Sequence, residues 1–158
     1  MLTSDIRSLV YGDAWHGPAW KEILSGLDAS QAVRQVLPTA HTLYELVHHT
    51  AEWAAEVTQR LAGKSPSMPA EGDWPPPGTL VDDSEWQRVV DKLIAAHDEL
   101  IAAIERFDPK RWDERIGADR DAPLGSGVSY RAMIAGILAH TAYHAGQAMM
   151  LRRAIEGT

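Results

Sequence analysis

Cysteine is absent from the 158 residues. Disulfides, thiolate metal ligands and a cysteine nucleophile are therefore excluded. Positive charge is also in short supply. With a net charge of −7 and a pI near 5.4, no basic face exists to displace the counterions of a nucleic acid or to sit on an anionic membrane. The longest strictly apolar run, residues 132–139, is too short to cross a bilayer. The opening MLTSDIRSLVYG has no apolar h-region and does not read as a signal peptide. Runs of alternating β-branched residues and internal repeats are missing too. The expectation is one cytoplasmic domain over 1–158, with no nucleic-acid or membrane partner.

Helical periodicity fills the chain instead. Residues 130–155 read as one long helix in which Met133, Ile137, His140, His144, Ala148, Leu151 and Ile155 recur at steps of three and four, forming an inward stripe. His140 and His144 lie one turn apart on it, a spacing that lets two imidazoles converge on one metal ion. Ser129 offers its N-cap. Thr42-x-x-Glu45 is a capping box opening a helix to Leu61, with Gly63 as its stop. The inward stripe there is Leu46, His49, Trp53, Val57 and Leu61. His48, in line with Tyr44, Glu45, Glu52 and Ala55, leans toward the polar side.

Ser84-x-x-Gln87 is a second capping box, opening a helix to Phe107 that faces Trp86, Val90, Leu93, His97, Leu100 and Ile104 inward. Shorter helices are expected over 2–12, from Pro18 to Leu24, and over 29–36 behind an Asp28 cap. Residues 63–83, with Pro66, Pro69 and Pro75-Pro76-Pro77, cannot be regular. So long a coil suits a connection travelling the length of a bundle. Residues 110–128 are polar and glycine-rich and read as a loop. The fold class is all-α: a four-helix bundle with a long crossover between its second and third helices.

Three motifs carry a family resemblance. They are His41-Thr42-Leu43-Tyr44-Glu45-Leu46-Val47-His48-His49 with Trp53 beyond it, His140-x-x-Tyr143-His144-Ala145-Gly146-Gln147 followed by Leu151-Arg152-Arg153, and Ala14-Trp15-His16-Gly17-Pro18. With them in this order the chain resembles the DinB-like family of damage-inducible, metal-binding four-helix bundles. The resemblance implies the same crossover and a divalent metal held by one histidine of the second helix and two of the fourth. Those positions fall on His49, His140 and His144, which the facing argument also turns inward. Enzymatic relatives transfer or isomerise using a small cytosolic thiol such as bacillithiol, mycothiol or glutathione; many members have no known activity.

Three buried imidazoles without ligation are costly, since each ring has a donor and an acceptor to satisfy. Neutral imidazoles suit Zn, Ni or Fe better than Mg or Ca, and three protein ligands leave a position for water or substrate. His16, in its Gly-Pro kink, is a candidate for the mouth of the site, and Gln147 a hydrogen-bonding candidate beside His144. His97 is either a fourth ligand or a hydrogen-bonded core residue. Trp53 and Trp86 read as core, and Trp15, Trp20 and Trp74 as pocket rim or dimer contact. Two functions are compatible with this set. One is a metal-dependent thiol S-transferase or isomerase acting on a small molecule, with hydrolysis as a variant. The other is a non-catalytic metal-binding stress or scaffold protein working as a homodimer.

Overall fold

The computed structural model describes residues 2–74 and 82–157, and the Pro75-Pro76-Pro77 run lies outside them. Six helices dominate: α1 (Leu2–Tyr11), α2 (Trp20–Leu24), α3 (Ala29–Ala32), α4 (Leu43–Leu61), α5 (Asp83–Arg106) and α6 (Tyr130–Glu156). A 3-10 turn at Pro109–Arg111 leads into two strands, β1 (Arg115–Asp121) and β2 (Ser126–Ser129), ahead of α6. None of the described helices is long and apolar enough to cross a membrane.

The helix starts follow from local chemistry. In α4 the Thr42 hydroxyl accepts from the Glu45 amide at 3.2 Å while the Glu45 carboxylate accepts from the Thr42 amide at 2.7 Å, the expected reciprocal box. Ser129 caps α6 through the Ala132 amide, and Gly157, at φ 74°, ends it in the left-handed region. The third long helix starts earlier than its sequence box suggests. Asp82 is its cap, accepting from the Glu85 amide at 2.8 Å, and Ser84 donates to the same carboxylate. The segment after Asp28 makes only one turn, since Val33 and Val36 are β-branched and weak helix formers. α2 begins at Trp20 rather than Pro18, because Glu22 accepts from the Ala19 amide and sets the cap there.

One expectation fails outright. Residues 110–128 are not a loop: β1 and β2 pair antiparallel, Arg115 opposite Ser129 and Ile116 opposite Val128, with an irregularity before Asp121 opposite Ser126. The molecule is mostly helical with a small sheet, not purely α. Glycines hide the hairpin from sequence reading, yet one of them builds it. Gly127 has φ 70°, and a Cβ there would lie 2.6 Å from the Arg120 Cα.

α4 packs against both α5 and α6, and α1 against the same two helices. The apolar interior between them is divided. One cluster contains Trp20, Leu43, Val47, Trp86, Leu93 and Leu151; the other contains Ile6, Val57, Leu100, Ile104, Ile134 and Ile137. Between the two, at one level of α4, α5 and α6, sit His48, His49, Glu52, His97, Thr141 and His144, all buried.

Farther along α4 a buried ion pair fastens both irregular segments. Arg60 Nε donates to Glu56 at 3.1 Å, Nη1 to the Leu124 carbonyl at the hairpin tip, and Nη2 to the Ser67 carbonyl after α4. Burial would raise the Glu56 carboxyl, but Lys64, the Ser67 amide and Arg60 together hold it below its ordinary value of 4.5. Arg60→Ala is expected to destabilise the fold by about 3–5 kcal/mol, as removing one partner of a buried pair does, measured by urea unfolding. Because the Glu56 value is depressed in the fold, its contribution is present above pH 4.5 and declines as pH falls through the folded value. Glu56→Gln should therefore flatten the acid limb of the stability curve.

Candidate metal centre

α4 delivers His49 and α6 delivers His140 and His144, one turn apart on its buried side. Their Nε2 atoms converge: His49 to His140 is 2.9 Å and His144 to His140 is 3.1 Å. These are the residues that sequence facing turned inward, and the structure brings them together.

The outer nitrogens decide what the inner ones can do. His49 Nδ1–H donates to the Asp73 backbone carbonyl at 2.7 Å, with the Asp73 carboxylate 3.2 Å away. His144 Nδ1–H donates to Gln147 Oε1 at 2.6 Å. A neutral imidazole protonated at Nδ1 carries a lone pair at Nε2, so two lone pairs point at His140 Nε2. That atom can offer at most one proton to one of them. His140 Nδ1, buried, has no partner among the described residues. A hydrogen-bond network cannot satisfy this arrangement, whereas one cation can accept all three lone pairs. Bonds of ~2.0–2.1 Å at tetrahedral angles separate ligand nitrogens by roughly 3.3 Å, close to the observed spacing. The three residues could hold a metal ion, and the donor set suits a divalent transition ion.

Burial keeps the rings neutral, the form that ligates. It is the first cause of the low value of His140, about 3, and of His144, about 4, with neighbouring histidines adding to both. His49 is also lowered by burial, against the opposing pull of Asp73.

The surroundings were only partly foreseen. Trp74 lies flat against His49, ring centres 3.9 Å apart, with His41 on its other face at 3.4 Å. Asp73 accepts from Trp53 Nε1 at 2.8 Å, so the end of the first described part of the connection folds over the site. Trp53 is half-buried and packs against the second apolar cluster, as expected of a core residue, and it also lines a cavity of about 420 Å³ together with His49, His140, Val57, Met133 and Ile137. Trp20, by contrast, is fully buried core and donates to the Thr141 carbonyl. Trp74, expected at a pocket rim or dimer contact, stacks on a ring of the cluster; Asp73 carried no sequence signal, because irregular backbone has no period from which to read facing.

Three other histidines stand apart. His97 is fully buried; its Nδ1–H donates to the Leu93 carbonyl and its Nε2 accepts from Thr141. It is a core histidine with both nitrogens engaged. His48 does not lean outward as expected: it is 7 % exposed, with Nε2 3.0 Å from Glu71. Lys92 bridges Glu71 and Glu52 beside it. The polar side of α4 is covered because α5 and the segment after α4 both pack on it. His16 does not reach the site. It is exposed and lines a separate groove with Trp15, Leu138, Ala139 and Ala142, on the other side of α6. Gln147, meanwhile, is the partner of His144.

A model of the DinB superfamily matches residues 15–148. The chain belongs to the DinB superfamily. No curated protein and no solved structure gives a match. Membership accords with a histidine cluster shared between two long helices of this DinB-like chain.

For the chelated protein the ring chemistry has a measurable consequence. His140 and His144 should remain neutral between pH 7 and pH 5, and ¹⁵N NMR should show both His49 and His144 as Nδ1–H tautomers. Protonation of either His140 or His144 near 6.5 would contradict the buried geometry. The sign for stability is fixed: below pH 6.5 the unfolded chain binds protons that these folded rings refuse, so chelated protein weakens as pH falls toward 4.

Proposed function

We propose that His49, His140 and His144 hold a divalent transition ion, Zn, Ni or Fe, and that the protein is a metal-dependent enzyme. Its substrates are a small electrophile and a low-molecular-weight thiol, with water replacing the thiol in the hydrolytic variant. On this reading α1, α4, α5 and α6 are the four-helix bundle of the superfamily, and the stretch between α4 and α5 is its long crossover. The protein works in the cytoplasm, where such thiols are found, and as a homodimer.

The observation that carries the reading is the convergence of three Nε2 atoms beside a 420 Å³ cavity that His49 and His140 line. An ion bound there supplies Lewis acidity, which lowers the proton affinity of a thiol or water placed on it. The chain does the rest. Asp73 and Gln147 fix the His49 and His144 tautomers and hold the rings in plane with their task. Trp53, Val57, Met133 and Ile137 give the adjoining space apolar walls, which exclude water and strengthen charge interactions within it. In such a transfer the thiol would give up its proton to solvent, sulfur would bond to the electrophilic carbon, and that carbon's bond to its leaving group would break, the group departing with the bonding pair.

A scaffold or storage role would be favoured by a fourth protein ligand closing the ion's coordination. His97, the candidate for that, is occupied by Leu93 and Thr141. That favours catalysis.

Elemental analysis of protein purified without chelator is expected to find about one transition ion per chain. His140→Ala and His144→Ala should lose it and His48→Ala should keep it; equal metal in all three would defeat the ligand assignment. Metal-loaded protein mixed with an electrophile and bacillithiol, mycothiol or glutathione in turn should yield a conjugate with one of them by mass spectrometry. A loaded site giving no product with any thiol, and no hydrolysis, would leave the scaffold reading.

A further inference from the structure

The cavity beside the histidines has two ends of different chemistry, and its far wall is the hairpin that sequence reading took for a loop. Arg60 and Arg120 both line it. Arg60 is buried with its guanidinium occupied by Glu56, the Leu124 carbonyl and the Ser67 carbonyl. Arg120 is different. It is exposed, and among the described residues it donates only to the Ser126 carbonyl at 3.2 Å and forms no ion pair.

Asp73, the one carboxylate on the lining, is at the opposite end and engaged by Trp53 and His49. Across the space between lie Trp53, Met133 and Ile137. Ala132 and Gly136 keep the α6 wall low there. The backbone that carries Arg120 is held by a contact that tolerates only glycine at 127: a Cβ would meet Arg120 N at 2.7 Å and Asp119 O at 2.7 Å.

We propose that Arg120 is the specificity-determining residue of this cavity, binding the carboxylate of a substrate whose apolar body lies between Trp53, Met133 and Ile137 and whose other end faces His49 and His140. The proposal rests on the cavity being the substrate site, as in the reading above, and it names the substrate class: a small amphiphilic carboxylate. A guanidinium presents a fork of donors matched to a carboxylate. The apolar walls reduce the solvent screening that makes an open surface pair weak. Arg60 cannot share the task, because its donors already hold the hairpin tip and the segment after α4.

The test uses two probes of one shape, 4-phenylbutyrate and 4-phenylbutanol, titrated into the full chain labelled at methionine and isoleucine methyls. Chelated and metal-loaded protein are run in parallel, so that a carboxylate landing on the ion is separated from one landing on the arginine. The expected result is movement of the Met133 and Ile137 methyls, with the carboxylate bound about five- to tenfold more tightly than the alcohol in both preparations. Arg120→Gln should abolish that preference, while alcohol binding and metal content stay unchanged, and Arg120→Lys should restore part of it. Equal affinities, a preference that survives Arg120→Gln, one that appears only with metal, or binding of neither probe would each overturn the proposal. Failure of the metal reading shows separately, as absent metal with the carboxylate preference intact.

Discussion

Three imidazole Nε2 atoms meeting between two long helices are the constraint around which this molecule is arranged. Burial lowers the proton affinity of each ring, and two are locked with their lone pairs inward by oxygens on the far side. With two lone pairs aimed at His140 Nε2, one proton there can satisfy only one of them. The three residues could hold a metal ion, and rings already held in place would need little reorganisation to do so.

The cost appears in the packing. A chain of this length could bury one continuous core, yet its apolar residues fall into two clusters with a polar belt between them. Polar groups in such a belt must be satisfied locally. Thr50 donates to the Leu46 carbonyl, His97 bridges Leu93 and Thr141, and Glu52 receives Lys92 and the Glu71 amide. The belt is complete except at the histidine cluster and at the buried Nδ1 atoms of His48 and His140, which have no partner among the described residues. Of these two residues His140 lines the cavity and His48 does not.

How much of this could be read in the sequence depends on periodicity. His49, His140 and His144 lie on strongly patterned helices, so their facing followed from steps of three and four, and Thr42 and Ser129 announced where those helices start. His48 was misread because the facing argument gives a helix one covered side. α4 is covered on two, and the second cover comes from Glu71 and Lys92, which no period connects to it. Asp73 and Trp74 lie in irregular backbone, and the hairpin has few apolar strand residues, with Ile116 the one buried in β1. Patterned segments thus disclosed the clustered rings, while Asp73 and the hairpin side of the cavity belong to segments without a period.

Those irregular segments are nonetheless held by α4, which joins stability to site geometry. His49, Trp53, Glu56 and Arg60 follow one another at helical steps along it, so the same helix carries a ring of the cluster, a wall of the cavity and the buried ion pair. Replacing a buried ion pair by apolar residues is often neutral or stabilising, so net stability alone does not account for Glu56 and Arg60. An apolar pair could not bind the carbonyls of Ser67 and Leu124. Those two hydrogen bonds tether to one helix the segment leading toward Asp73 and the hairpin bearing Arg120. The ion pair is better understood as the device that sets the distance between the two ends of the cavity, at a desolvation cost that the multiple hydrogen bonds around Glu56 offset.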